Sequence, residues 1–557
     1  MPVVRFSNEK VSVEVPADAT LLDAAHKAGV VVDAPCGGAG TCGKCNVRVR
    51  WRSAHRARHA VPVHCGEAAV ETQTVLACKT LVSAVGGDVT VETLEHSDRA
   101  GLKILADGHA FEVAIAPNVT KRFDAAAGCT EVVADGRVLG TEPGDTASEA
   151  YGAAVDIGTT TLVVSLVDLS TGEERAVASA LNPQARHAQD VLSRIKMGSE
   201  PDGLRLLQDE VVGAINELVG QTAAEAGVAA ERIYEAVFSG NTTMLHLAAG
   251  ADPAPLGKFP YTPVLQGGES LRAQSLGLAI APCGIVYLPP FMSAYVGADI
   301  TSGILATRLD EQSGVTLFVD IGTNGEMVLA VDSELTATST AAGPAFEGMN
   351  IACGMRAGQG AIEQVALTED GGVSIKTIGD AKPVGLCGSG LLDAVGELAA
   401  RGVVEKSGRF RKDETAWQSY MDKLDGKPIF RVADSVYLLQ KDIRQVQLAK
   451  AAVRVGIELM LAANGVAVEK VDRVLIAGSF GFHLRTDSLI NLGLLPSEFR
   501  DRVEFVGNTS KTGARAFLLN YGLRDELQDL VKRVRVLELA NDPAFERKFV
   551  QALSFCI

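Results

Sequence analysis

Four cysteines near the start of the chain have the number and spacing of iron–sulfur ligands. Three stand in a C-x5-C-x2-C arrangement and the fourth follows 33 residues later: Cys36, Cys42, Cys45 and Cys78. A [2Fe–2S] cluster needs four thiolates, and the glycines among the first three allow the loop backbone to turn N–H groups toward the sulfur atoms. The spacing therefore predicts a [2Fe–2S] site.

Two alternatives to this assignment remain open. Structural zinc sites usually carry two C-x2-4-C pairs, whereas this region has a single C-x2-C pair. Cys65 could replace Cys78 as the fourth ligand. Cys78 is favoured because it follows a strand-like run, residues 74–77, that would fix its position.

A second pattern, an apolar strand ending in Asp-Ile-Gly-Thr, occurs twice. Residues 153–169 and 317–333 match at 8 of 17 positions, which indicates a duplicated domain. Backbone N–H groups and threonine hydroxyls in such a hairpin can bind phosphate, while the aspartate can hold Mg2+ directly or through water. Two facing hairpins could bind the β- and γ-phosphates of ATP, and each could also be an ordinary turn.

The residues that would bind the nucleotide follow from this pattern. Asp156 and Asp320 are the catalytic candidates. The phosphate candidates are Gly158, Thr159, Thr160, Gly322, Thr323 and Asn324, and Gly343 and Gly478 are further nucleotide candidates. Gly478 ends a buried strand at 471–477 and would allow close approach of an adenosine. The paired loops of aspartic proteases are excluded because isoleucine follows each aspartate.

The elements that must position the cysteines can be predicted from local patterns. Residues 3–7 and 11–15 alternate as a β-hairpin does, and a helix should begin after Thr20 and end at Gly29. We expect this first domain to span residues 1–92. A small linker domain, residues 93–148, follows, with strand-like runs at 110–115 and 130–133.

From residue 151 onward, strands and helices alternate, which indicates an α/β architecture. The nucleotide-binding domain should span residues 149–557, with its two repeats at about 149–312 and 313–557. The whole chain is then a multidomain α/β protein.

Composition and charge exclude several classes of protein. The net charge of −16 argues against binding to nucleic acid, and no run of about 18 apolar residues predicts a membrane span. The start of the chain lacks the pattern of a secretion signal. We therefore expect a cytoplasmic protein that binds neither nucleic acid nor membrane.

Residues 1–92 resemble the β-grasp [2Fe–2S] ferredoxins, and residues 150–557 resemble the reductive activators of corrinoid-dependent methyltransferases. The motifs that carry the second resemblance are Asn182-Pro-Gln, Asp190-Val-Leu-Ser-Arg-Ile195, Ser239-Gly-Asn-Thr-Thr-Met-Leu-His246, Val296-Gly-Ala-Asp299, Ala342-Gly-Pro-Ala-Phe-Glu-Gly-Met-Asn350, Cys353-Gly-Met-Arg356, Gly385-Leu-Cys-Gly-Ser-Gly-Leu-Leu-Asp393, Asp442-Ile-Arg-Gln-Val-Gln447 and Val506-Gly-Asn508. The resemblance implies a C-terminal, duplicated ribonuclease-H-like ATPase domain of the actin, sugar-kinase and chaperone type.

The resemblance also implies a function, namely ATP-dependent reduction of an inactive Co(II) corrinoid on a partner protein to active Co(I). The implied cofactors are a [2Fe–2S] cluster, ATP and Mg2+. The implied partners are a corrinoid protein and an external electron donor (a ferredoxin, flavodoxin or reductase), with a homodimer as a further expectation. Basic residues at 44–64 could dock an acidic donor or could form a solvated loop. A sugar or acyl kinase with a redox-sensing domain and an ATP-gated binding module are the alternatives.

Overall fold

The computed structural model describes residues 2–8, 10–30, 32, 45–52, 70–85, 89–93, 113–413, 415–478 and 484–555. The chain divides into two compact units, Met1–Ala100 with Arg186–Gln189 and Gly101–Ala185 with Asp190–Ile557. Within the described ranges, no helix combines the length and the apolar character that a membrane span requires.

The described residues of the first unit form a five-stranded sheet with one α-helix. Its elements are β1 (Val3–Phe6), β2 (Val11–Glu14), α1 (Leu21–Lys27), β3 (Asn46–Arg52), β4 (Val70–Leu76) and β5 (Val89–Thr93), with strand order β2-β1-β5-β3-β4. The predicted hairpin is confirmed as antiparallel β1 and β2. The predicted helix start is also confirmed, because Thr20 and Asp23 form a reciprocal capping box.

The segment that follows contributes a small antiparallel sheet of β6 (Thr120–Asp124), β7 (Cys129–Ala134) and β8 (Arg137–Pro143). Strand β7 confirms the run predicted at 130–133. The run predicted at 110–115 is wrong over its described part, residues 113–115, which lie in no strand. The next residue pairs with a distant segment: Ala116 N–H donates to the Leu519 carbonyl at 2.7 Å, and Tyr521 N–H donates to the Ala116 carbonyl at 2.9 Å.

The first repeat of the large domain contains six strands and four helices. They are β9 (Tyr151–Ile157), β10 (Thr161–Asp168), β11 (Glu174–Leu181), α2 (Val191–Gly198), α3 (Pro201–Ala226), β12 (Ile233–Gly240), α4 (Thr242–Ala249), β13 (Glu269–Arg272), β14 (Ile285–Leu288) and α5 (Ala298–Thr307). The strand order is β11-β10-β9-β12-β14-β13.

The second repeat is longer, and its described residues form two small sheets in addition to the main one. Its elements are β15 (Val315–Ile321), β16 (Gly325–Val331), β17 (Glu334–Thr340), β18 (Ala361–Leu367), β19 (Val373–Thr377), β20 (Gly385–Leu386), α6 (Gly388–Ala400), β21 (Met421–Leu424), β22 (Lys427–Ala433), β23 (Val436–Leu439), α7 (Gln440–Ala463), β24 (Arg473–Ala477), α8 (Thr486–Asn491), β25 (Val503–Gly507), α9 (Thr509–Leu519), α10 (Gly522–Val531), β26 (Arg535–Val536) and α11 (Phe545–Ala552). Its main sheet has the order β25-β24-β15-β16-β17-β26.

The two main sheets repeat one topology, which confirms the duplication predicted from the sequence. Strands β11-β10-β9-β12-β14 correspond to β17-β16-β15-β24-β25. In both sheets the first three strands form an antiparallel meander, and the next two strands run parallel to the hairpin strand β9 or β15. The Asp-Ile-Gly-Thr motif therefore lies at the C-terminal end of the equivalent interior strand in each sheet.

Helices α5 and α9, one from each repeat, pack closely between the two sheets. A Cβ atom at Gly513 would lie 2.2 Å from the Ser302 carbonyl oxygen, so this approach requires glycine. Thr509 and Ser510, at the start of α9, are buried beside it. This crossing brings the N-terminus of a second-repeat helix to the hairpin of the first repeat.

Candidate nucleotide and iron–sulfur sites

The first hairpin turn, between β9 and β10, is held from several directions. Gly158 N–H donates to the Thr161 carbonyl at 2.9 Å, and a Cβ atom at Gly158 would lie 2.7 Å from the same oxygen. Asn182 Nδ2 donates to the Gly158 carbonyl at 2.8 Å, and Asn241 Nδ2 donates to Thr159 Oγ1 at 3.0 Å. Two of the family-type motifs thus hold the turn in place.

The second hairpin turn, between β15 and β16, is closed by a similar glycine N–H hydrogen bond but is held by different neighbouring residues. Gly322 N–H donates to the Asn324 carbonyl at 2.9 Å, and Gly343 N–H donates to the Thr323 carbonyl at 2.9 Å. Gly343 adopts a φ of 79°, in the left-handed region that favours glycine. A Cβ atom at Gly322 would meet no atom closer than 3.7 Å, so the fold does not require glycine there.

Glu347 joins the two hairpins. Its carboxylate accepts a hydrogen bond from the Thr160 hydroxyl of the first hairpin and another from the Thr323 hydroxyl of the second. The buried guanidinium of Arg194 is nearby and donates to the Thr159 carbonyl at 2.5 Å. Burial lowers the pKa of Arg194 to about 9, and the negative charge of Glu347 opposes that shift. Two of the threonine hydroxyls predicted to bind phosphate therefore donate to a single carboxylate.

Four carboxyl groups form an acidic cluster beside the hairpins: Asp156, Asp299, Asp320 and Glu326. Burial, followed by the negative charge of Asp156, raises the pKa of Asp299 to about 7. Burial, followed by the charges of Asp299 and Asp156, raises the pKa of Asp320 to about 8. The pKa of Glu326 is raised well above its usual range by burial, followed by the negative charges of Asp299 and Asp320. Each ionised group therefore disfavours ionisation of its neighbours, and a bound cation would favour the ionised forms.

Asp156 is the member of the cluster with the best hydrogen-bonding support. Asn508 Nδ2 donates to its Oδ2 at 2.8 Å, and Ser510 Oγ donates to its Oδ1 at 2.7 Å. Burial raises the pKa of Asp156, while these two hydrogen bonds and the charge of Lys511 lower it. Because both donors belong to the second repeat, they fix the orientation of a first-repeat carboxylate.

Gly478 lies against the second hairpin strand. Its φ is 118°, and a Cβ atom there would lie 2.5 Å from the Ile321 carbonyl oxygen and 3.3 Å from Asp320 Oδ1. The strand predicted to run into this glycine is confirmed as β24. Glycine is therefore required for the backbone to approach β15 this closely, whether or not it also contacts a nucleotide.

The donor set fits a magnesium ion that keeps part of its water shell. In the described part of the chain, no three His, Cys, Asp or Glu side chains are grouped closely enough to hold a metal ion by themselves. Mg2+ usually binds through one or two carboxylates together with waters and substrate phosphates. The oxygen ligands near the hairpins suit that mode of binding.

The cysteine site is described in part. Cys45 immediately precedes β3, Cys78 lies just after β4, and the pairing of these strands brings the two Sγ atoms to 3.2 Å. Cys78 N–H also donates to Cys45 Sγ at 3.4 Å. The other two predicted ligands, Cys36 and Cys42, and the alternative ligand Cys65 lie outside the described residues. The close pair fits two adjacent ligands of one cluster.

Exchange of single cysteines should distinguish the two candidates for the fourth ligand. We expect Cys78→Ser to lose most of the bound iron and sulfide, because Cys78 lies against Cys45, whereas Cys65→Ser should keep both. Iron and acid-labile sulfide per chain, together with the visible absorption spectrum, measure the effect. Iron loss in Cys65→Ser with retention in Cys78→Ser would reverse the assignment.

Two of the basic residues predicted to dock a donor have an ion-pair partner within their own unit. Arg48 and Arg50 lie 3.3 and 3.1 Å from the carboxylate of Glu92, which pairs with both. These exposed pairs contribute little to stability.

Sequence reasoning missed several residues of the site. Asp299, Glu347 and Asn508 lie in motifs that were recognised only as family features, and Ser510 and Arg194 were also given no role in the site. Glu326 could have been found from the repeat itself, because a carboxyl group stands where the first copy has the apolar Leu162. The acidic cluster gains its fourth carboxyl group from that difference.

Comparison with known proteins agrees with this arrangement. A model of the 2Fe-2S iron-sulfur cluster binding domain matches residues 4–83, a model of the RACo middle region matches 151–312, and one of the C-terminal domain of RACo, the ASKHA domain, matches 314–557. The first match supports a [2Fe–2S] cluster, and the third supports ATP binding.

Individual relatives point the same way. The corrinoid activation enzyme RamQ of Eubacterium limosum is 33% identical over 427 residues, which cover 73% of this chain and 70% of RamQ. A [Co(II) methylated amine-specific corrinoid protein] reductase of Methanosarcina barkeri is 25% identical over 299 residues, covering 50% of this chain and 52% of that protein.

A solved structure, a reductive activator for corrinoid, iron-sulfur protein, matches with a TM-score of 0.74 and 32% identity over 100% of this chain and 98% of that chain. This match extends over both the ferredoxin-like unit and the duplicated nucleotide-binding domain. On these grounds the chain belongs to the RACo family of reductive activators of corrinoid proteins.

Proposed function

We propose that this protein uses ATP to drive the one-electron reduction of an inactive Co(II) corrinoid, carried by a partner protein, to active Co(I). The observation that carries the proposal is the full-length similarity to a reductive activator, in a chain that has both a cysteine pair and two phosphate-type hairpins. The protein would thereby reactivate a corrinoid-dependent methyltransferase system.

The electron is assigned to the first unit. Cys36, Cys42, Cys45 and Cys78 would hold a [2Fe–2S] cluster, which when bound supplies one electron at a time. Plant-type clusters have potentials on the order of −400 mV, and base-on Co(II) is harder still to reduce. Electron transfer from the cluster to Co(II) is therefore uphill. We assign to ATP the role of driving it.

The nucleotide is assigned to the two hairpins. Asp156 and Asp320 would hold Mg2+ directly or through water, and the ion would neutralise charge on the phosphates. The backbone at Gly158 and Gly322 and the side chains of Thr159, Thr160, Thr323 and Asn324 would contact the phosphates, with Gly343 and Gly478 beside the nucleotide. Asn508 and Ser510 support this role by holding the Asp156 carboxylate in one orientation.

ATP would act through the relative arrangement of the two repeats. The nucleotide would contact hairpins from both repeats, so its binding or hydrolysis favours one arrangement of the pair over another. A partner protein that binds one arrangement more tightly would then change its own conformation when ATP binds or is hydrolysed. The remodelled partner would present a cobalt that is easier to reduce.

The proposal also covers the domain bounds, the cellular location, the oligomeric state and the electron donor. The domains would span residues 1–92, 93–148 and 149–557, with the repeats at about 149–312 and 313–557. The protein would act in the cytoplasm, could form a homodimer, and would receive its electron from a ferredoxin, flavodoxin or reductase.

Coupling between the partner and the nucleotide tests this function. We expect a Co(II) corrinoid protein to raise ATP turnover by about fivefold or more, because a partner that senses the nucleotide state must change nucleotide affinity in return. Sugars and short-chain acids should have little effect. Turnover that responds to a sugar and is unaffected by corrinoid proteins would support a kinase instead.

A further inference from the structure

Glu347 lies in a short segment that is anchored on both sides. A 3-10 turn, Pro344–Glu347, begins at Gly343, whose N–H group is bonded to the second hairpin. The adjacent side chain of Phe346 is fully buried in the core formed with α6 and α7. Glu347 itself is only partly buried. Its backbone is therefore fixed, while its side chain can change rotamer without repacking the core.

The carboxylate of Glu347 occupies the hydroxyl donors that an ATP phosphate would use. Thr160 and Thr323 each have one hydroxyl proton, and both hydroxyls donate to Glu347. A phosphate oxygen cannot accept the same proton at the same time. A carboxylate left beside the phosphates would also repel them, since both carry negative charge.

We propose that Glu347 is a built-in competitor of the nucleotide phosphates, which holds the two hairpins together when no nucleotide is bound and is displaced when one binds. This inference rests on the proposed nucleotide site and adds to it a residue whose hydrogen bonds depend on whether nucleotide is bound. Glu347 carries the only carboxylate in the described residues that bonds hydroxyls of both hairpins. Its release would remove this one link between the two hairpins at the moment of binding.

The competition has a measurable consequence. If most molecules carry the Glu347 bridge, only the small fraction without it can bind nucleotide. The observed affinity is then the intrinsic affinity multiplied by that fraction. Glu347→Gln removes the negative charge, and Glu347→Asp keeps the charge on a side chain one methylene shorter, so it cannot reach both hydroxyls. Both variants should bind nucleotide more tightly than the unaltered protein, a gain that a merely structural residue would not give.

The test is titration calorimetry of the full-length protein, with its cluster, using Mg2+ and a non-hydrolysable ATP analogue. We expect about tenfold tighter binding for Glu347→Gln and a smaller gain for Glu347→Asp, with no change for the exposed control Glu334→Gln. Unchanged or weaker binding in Glu347→Gln and Glu347→Asp would overturn the competition while leaving the nucleotide site in place. Absence of binding in every protein would overturn the nucleotide site and this inference together.

Discussion

Asp156→Ala and Asp320→Ala should each lower ATP hydrolysis by roughly a hundredfold or more, because groups aimed at developing phosphate charge contribute on that order. The two aspartates are the second-last residues of corresponding strands in the duplicated sheets, and Asp156 is fixed by donors from the other repeat. The visible spectrum of the cluster should not change, since the cysteines lie in a different unit. ATPase rates and absorption spectra of the same preparations measure both effects.

The exposed Asp501 provides a matched control for these substitutions. Asp501→Ala should keep both the ATPase rate and the spectrum. Retention of unaltered hydrolysis in Asp156→Ala and Asp320→Ala would show that the nucleotide binds elsewhere. Loss of the cluster spectrum in either variant would contradict the assignment of the two functions to separate units.

The second large effect concerns stability in the absence of metal. Asp320→Asn should raise the melting temperature of the protein at pH 8 in chelator by about 2–4 °C, although it abolishes hydrolysis. Burial and the charges of Asp299 and Asp156 raise the pKa of Asp320 to about 8. The folded protein therefore retains this proton at pH values where the unfolded chain releases it.

The sign of the pH dependence follows from that shift. Above an ordinary aspartate pKa the unfolded state binds fewer protons than the folded state, so stability falls as pH rises toward 8. Melting temperatures between pH 5 and pH 8 should show a steeper fall for the unaltered protein than for Asp320→Asn, and Mg2+ should reduce the difference. Equal slopes for both proteins in chelator, or a lower melting temperature for the variant at pH 8, would contradict this account of the acidic cluster.

Local patterns predicted much of the fold because each rests on short-range physics. The Thr20 cap, the hairpin β1–β2 and the strand leading to Gly478 depend on neighbouring residues alone. The duplication was visible because strand, turn and strand recur together at domain spacing. The failed strand at 113–115 shows the limit, since the backbone of the adjacent Ala116 bonds to Leu519 and Tyr521, about 400 residues away.

The same distinction applies to the site. The sequence pointed to both hairpins, because glycine, threonine and aspartate must stand next to each other in such a turn. The bridging role of Glu347 and the acidic cluster could not be predicted, because they depend on how the two repeats approach each other. Asn508 reaches Asp156 across 352 residues of chain, and only the packing of α9 against α5 makes that contact possible.

The central claim is that ATP and the cluster act together on cobalt. Its most direct test mixes the purified protein with a Co(II) corrinoid protein and a low-potential reductant, and follows the absorption of Co(I) with and without ATP. We expect Co(I) only when ATP is present, and we expect the signal to be lost in both Asp156→Ala and Cys78→Ser. Equal formation of Co(I) without ATP, or undiminished formation by Cys78→Ser, would contradict the claim.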